Sequence, residues 1–116
     1  MRIDYISNLP MNADFSGDWI EREMKDMLTK KTYILASAQV SWIGAMGSPT
    51  GALTLIASND GLTLTVLSVN TIDTSINTND ALLLPIDPIA DQYTFSFRHN
   101  GMTSGTLSIV LCYTLK

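Results

Sequence analysis

From Tyr33 to Lys116 the chain alternates apolar and polar residues in short runs, with Gly, Pro, Asn and Asp between the runs and little charge within them. A period of two sends successive side chains to opposite faces of an extended strand. The pattern therefore constrains the chain to sheets with one buried face. Ile34, Ala36, Ala38, Val40 and Trp42 alternate with Ser37, Gln39 and Ser41. Leu53 to Ser58 reads as the next strand, and Asn59-Asp60-Gly61 as a tight turn, because those residues tolerate positive φ. Leu62, Leu64 and Val66 continue the alternation beyond it. Ala81-Leu82-Leu83-Leu84 is a short strand stopped by Pro85. Tyr93, Phe95 and Phe97 mark another, followed by a turn from His99 to Gly105. Leu107 to Leu115 is apolar on both faces at its centre, which places it in the middle of a sheet. Residues 44–51 and 70–80 read as loops, the second as a loop or a weakly specified edge strand. With no alternation of strands and helices, the expectation is an all-β, antiparallel, jelly-roll-like β-sandwich.

Composition shifts near residue 32, so the chain divides into a charged lead-in, 1–31, and a β body, 32–116. In the lead-in, Trp19, Ile20, Met24, Met27 and Leu28 recur at steps of three and four. Ser16 stands as a candidate N-cap, and this predicts one short helix over 17–29. The competing reading is a first strand over 18–22. Residues 1–15 show no period, and Pro10 discourages regular structure there. Ile3, Tyr5, Ile6, Leu9 and Met11 are expected to dock an extended arm on a neighbouring surface. Phe15, Trp19, Met24 and Met27 extend this candidate interface, with Met46 as a further adaptable apolar contact. Deleting 1–15 is expected to leave the sandwich folded and to prevent assembly.

The 116 residues fit one domain, and the 46% apolar content is enough for a core. The net charge of −4, with no basic cluster larger than Lys30-Lys31, argues against nucleic acid as a partner. Cys112, the single cysteine, reads as a small buried hydrophobe in a protein folded in a reducing compartment. The first residues lack the apolar segment of a signal peptide, and no apolar run reaches the roughly 20 residues of a membrane span.

Chemistry-bearing residues are sparse. His99, the only histidine, lacks a recognisable nucleophile or acid partner in sequence, so no catalytic residue is expected. Asn59, Asp60, Asp73, Asn79, Asp80, Asp87 and Asp91 are hard oxygen ligands, but their spacing matches no calcium loop, and neither metal nor cofactor is expected. Trp19, Tyr33, Trp42, Tyr93 and Tyr113 could stack on sugars; for Trp42 and Tyr93, on apolar strand faces, core packing is the stronger reading.

Four pieces carry a family resemblance over residues 39–116. They are Val40-Ser41-Trp42-Ile43-Gly44, Gly51 through Gly61, Asp91-Gln92-Tyr93-Thr94-Phe95, and Thr103-Ser104-Gly105-Thr106-Leu107-Ser108-Ile109. In order and spacing this stretch resembles a family of small β-sandwich modules in bacteriophage virion proteins. Members commonly carry a Trp soon after the Ser-Asn-Asp-Gly turn. Here Leu62-Thr63-Leu64 stands in its place, so Leu64 is expected to fill that core contact. The resemblance implies a non-enzymatic structural component of a phage virion, capsid-associated, at a vertex or as decoration, assembled in the host cytoplasm. Its partners would be copies of itself and other virion proteins. The alternative is a glycan- or receptor-binding module of a tail or spike.

Overall fold

The computed structural model describes residues 2–47, 50–73 and 78–116, all in strands, turns and connecting segments. Ten strands follow in chain order: β1 (Arg2–Pro10), β2 (Phe15–Ser16), β3 (Ile20–Glu21), β4 (Glu23–Lys25), β5 (Thr32–Gly47), β6 (Thr50–Ser58), β7 (Thr65–Asp73), β8 (Asp80–Pro85), β9 (Gln92–His99) and β10 (Met102–Leu115). All pairings are antiparallel. The first sheet runs β1-β10-β5, with β4 and β8 both on the far edge of β5. The second runs β2-β9-β6-β7, with β3 beside β2 on β9.

The pairings are nested. β1 joins β10, β2 and β3 join β9, β5 joins β8, and β6 joins β7. One long hairpin folded over itself gives this order, and joining it through β10·β5 and β9·β6 makes the two sheets of a jelly roll. The all-β antiparallel sandwich expected from the period-two pattern is therefore what forms. β10 lies between β1 and β5, as its apolar centre requires.

The alternation sorts the faces. Leu107, Ile109, Leu111 and Tyr113 of β10 meet Trp42, Val40, Ala38 and Leu35 of β5 on the inner face. Tyr93, Phe95 and Phe97 of β9 lie beside Ala57, Leu55 and Leu53 of β6 on the inner face of the second sheet. All fourteen are at most 4% exposed. Met11, Ala45 and Met102 close one end of the core, and Ile86 and Ala90 close the other. At the first end Gly105, with φ of 126°, lets backbones meet: a Cβ there would stand 2.8 Å from Met11 Sδ and 2.9 Å from Ala45 Cα.

Several expectations require correction. Residues 17–29 form no helix. Gly17 N–H donates to Phe95 C=O, Arg22 N–H to Asp91 C=O, and Leu35 N–H to the Arg22 C=O. These sheet-type bonds satisfy backbone groups that a lone short helix would satisfy only within itself. The strand alternative over 18–22 is met only at Ile20–Glu21. Residues 2–25 do not form a lead-in outside the sandwich, because β1 to β4 supply strands to both sheets. Pro10 ends β1 at the sheet edge, where a missing N–H is tolerated. Strand β5 runs through Gly44 to Gly47, so the 44–51 loop shrinks; Ser48 and Pro49 lie outside the described residues. In the 70–80 segment β7 extends to Asp73 as an edge strand, and residues 74–77 lie outside the described residues. The turn after β9 is shorter than expected, since β10 starts at Met102. Leu64 fills no core contact; it is 59% exposed.

Candidate interaction surface

The register places the outward side chains of the first sheet in rows across four strands. One row is Tyr5, Val110, Gln39 and Leu83; the next is Ile3, Cys112, Ser37 and Pro85. Ser108, Ser41 and Ala81 form a third. None of these residues carries a charge. Tyr5 is 70% exposed, Leu83 68% and Ile3 49%. Large apolar side chains on a flat, uncharged sheet face are the kind of surface that marks a contact.

The sequence-predicted interface residues scatter over five settings. Ile3 and Tyr5 lie on this outer face. Ile6, Leu9, Phe15 and Met24 pack partly buried against the core, and Phe15 stacks on Phe97 at 5.9 Å between ring centroids. Met11 is fully buried and belongs to the core, which removes it from any interface. Trp19 is half-buried at the mouth of a groove, and Met27 is exposed on the turn between β4 and β5. Sequence reasoning missed Val110, Cys112 and Leu83. Their signal was present in two segments apolar at successive positions, which a one-sided strand does not need.

Of the aromatics weighed as sugar platforms, Trp42, Tyr93 and Tyr113 are core residues. The buried tyrosines use their hydroxyls to fix connections. Tyr93 Oη donates to Asp87 C=O at 2.6 Å and accepts from the amides of Ile89 and Ala90. Tyr113 Oη donates to Glu21 C=O at 3.1 Å. Buried phenols with their polar ends satisfied are stable core groups.

His99 lies beside a carboxylate after all. Its backbone N–H donates to Asp14 Oδ1 at 2.8 Å, and its Nε2 stands 3.9 Å from the same oxygen. Arg98 Nη1 approaches Asp14 Oδ2 at 3.4 Å. The His99 amide, with the Arg98 guanidinium beside it, holds the Asp14 carboxyl below its ordinary range. His99 Nδ1 is enclosed without a protein partner. Nε2 thus faces Asp14, and the contacts of Asp14 with Arg98 and His99 tie it to the end of β9.

Among the described residues no three His, Cys, Asp or Glu side chains gather as a metal site. Asp60 instead closes its turn. Its carboxylate accepts from the amides of Thr63 and Leu62 and from the hydroxyls of Ser58 and Thr63. The amide bonds, Thr63 first, hold its pKa well below the usual carboxylate range. Asn59 Oδ1 accepts from Asp91 N–H and joins the turn to the start of β9. Cys112 is a free, half-buried thiol on the outer face, more open than expected. No described helix is long and apolar enough to cross a membrane.

No protein-family model and no curated protein matches the chain. Among solved structures, a subunit described under "Bacillus endospore appendages form a novel family of disulfide-linked pili" is 13% identical over 99% of this chain and 88% of its own, with a TM-score of 0.43. A similarity of that size bears on neither family nor role.

Proposed function

We propose that this chain is a non-enzymatic structural subunit, of the bacteriophage-virion kind its sequence resembles, that works by packing against copies of itself. The observation carrying the proposal is a pair of charge-free rows on the outer face of the first sheet, Tyr5-Val110-Gln39-Leu83 and Ile3-Cys112-Ser37-Pro85. A chain of net charge −4 repels its own copies at most approaches. This face is one where two copies meet without bringing like charges together. A jelly roll suits a rigid particle subunit and occurs in viral capsids, although fold alone assigns no role.

The test is the molar mass of the purified protein by light scattering at low and high salt, beside a Tyr5→Glu/Leu83→Glu variant. The expected outcome is an oligomer that persists at high salt and dissociates in the variant, with the melting transition unchanged, since both side chains are exposed. A monomeric wild type, or a variant that assembles equally well, overturns the proposal.

A further inference from the structure

The outer face is small. Four strands about 4.8 Å apart and three rows about 6.6 Å apart make a patch on the order of 400 Å². A stable interface buries roughly 800 Å² on each partner. A subunit relying on this face needs a second contact, and two further features of the chain match one another.

The first is the turn from β4 to β5. Leu28, at 94% exposed, and Met27, at 68%, stand at its tip, followed by exposed Lys30 and Lys31. The tip is preorganised. Asp26 Oδ1 accepts from the amides of Leu28 and Thr29, Lys30 N–H donates to Asp26 C=O, and Asp26 N–H donates to Lys31 C=O. Lys30 takes φ of 61° to close the turn. A rigid tip loses little freedom when it docks.

The second is a groove of about 580 Å³ between the β1/β10 edge and residues 17–25. Tyr5, Ile6, Trp19, Met24 and Leu111 form its apolar wall, and Asp4, Asp18, Glu21 and Glu23 stand around it, with Lys25 the one cation among the described lining residues. Lys116 already matches Glu23. Its volume lies within the roughly 300–1,000 Å³ of ligand clefts. With Leu28 almost fully exposed, the tip does not occupy the groove of its own chain.

We infer that the Met27–Lys31 tip of one copy docks in the Trp19-Met24-Leu111 groove of another, with Lys30 and Lys31 against Asp18 and Glu21. Apolar tip meets apolar wall, and basic flank meets acidic rim. This contact joins two different surfaces, so it propagates copies into rings or filaments, whereas the outer face pairs like with like. The inference rests on the self-association proposed above.

The experiment is sedimentation velocity and light scattering on the full chain with three variants: Leu28→Asp, Lys30→Glu/Lys31→Glu, and Asp18→Lys/Glu21→Lys. Thermal melting serves as the folding control. Leu28→Asp and each charge reversal are expected to weaken higher assembly about tenfold or more, as loss of one anchoring contact does. Mixing the two charge-reversed variants is expected to restore it as an alternating assembly. Wild-type higher assembly is expected to shrink to the face-paired species at high salt. A wild type that assembles while all three variants match it overturns the tip-in-groove contact and leaves the outer-face reading standing. Charge-reversed variants that fail to complement each other when mixed overturn it as well. A monomeric wild type overturns both.

Discussion

The two sheets bury their inner faces by the same rule and turn different chemistry outward. On the second sheet the central outward positions on β9 are Thr94, beside Ile56, and Ser96, between Thr54 and Ser16. Both are short enough to be covered by their neighbours, at 8% and 9% exposure, and Thr94 Oγ1 donates to Gly17 C=O at 2.8 Å. Those two β9 positions are covered by the chain itself. On the first sheet the central outward pair is half-buried Val110 and exposed Gln39, flanked on the outer strands β1 and β8 by Tyr5 and Leu83, which the chain leaves open. The large apolar side chains on the outside of the second sheet are Ile56, half-buried on β6 beside Thr94, and Val66 and Val69, exposed on the edge strand β7. A jelly roll needs two buried inner faces; the outer faces are free to diverge, and under the proposed function that divergence would give the chain a preferred side for contact.

The largest effect should come from removing residues 2–10. That strips β1 from the first sheet, taking Ile6 from the core and Ile3 and Tyr5 from the outer face together. Loss of cooperative melting is expected, with inner and outer contributions abolished at once. A truncated chain that still melts cooperatively would return β1 to the role of a dispensable arm.

Neighbouring residues of β10 separate the two faces. Ile109, fully buried between Ile6 and Val40, should cost about 2–5 kcal/mol on truncation to Ala. Val110, half-buried on the outer face, should change monomer stability by roughly 0.5 kcal/mol as Val110→Ala, while weakening association. Thr94→Ala on the opposite face should leave association unchanged. Denaturant unfolding and light scattering on the three variants test this together. Equal association in Val110→Ala and Thr94→Ala proteins would erase the distinction between the sheets.

The smallest effect is in the turn at the end of the second sheet. The Asp60 carboxyl titrates lower in the folded chain than the ordinary carboxylate value of about 3.9. The unfolded chain therefore takes up the proton first. The stabilisation is present above the ordinary value and is lost as pH falls below it towards the folded-state value. Melting temperatures from pH 6 to pH 2 should fall less steeply in Asp60→Asn than in wild type. Parallel curves would show that the turn holds by its amides without the charge.

Much of the fold was legible because strand periodicity is local. Tyr93-Phe95-Phe97 and the even positions of 34–42 announce their buried faces within a few residues, and the two-sided apolar centre of β10 announces its central place. The segment 17–29 misled because a strand, a bend and a second strand happen to space Trp19, Ile20, Met24, Met27 and Leu28 at helical intervals. Their burial shows no common face: the first three are half-buried and the last two exposed. Met11 misled because a buried end-plug and an exposed arm residue look alike without the partner, and here that partner lies opposite Gly105. His99 and Asp14 are 85 positions apart, so their pairing left no local trace.

By itself, the sequence determined which side chains share a strand face, where the tight turns fall, and that no basic surface or disulfide frame exists. The tertiary structure alone decided that β1 pairs with β10, that residues 2–25 belong to both sheets, and that Tyr5, Val110 and Leu83 stand in one row. The reason is physical: alternation reports a residue's own face, whereas a row across four strands depends on register between segments as far apart as β1 and β10, which is set by long-range backbone pairing.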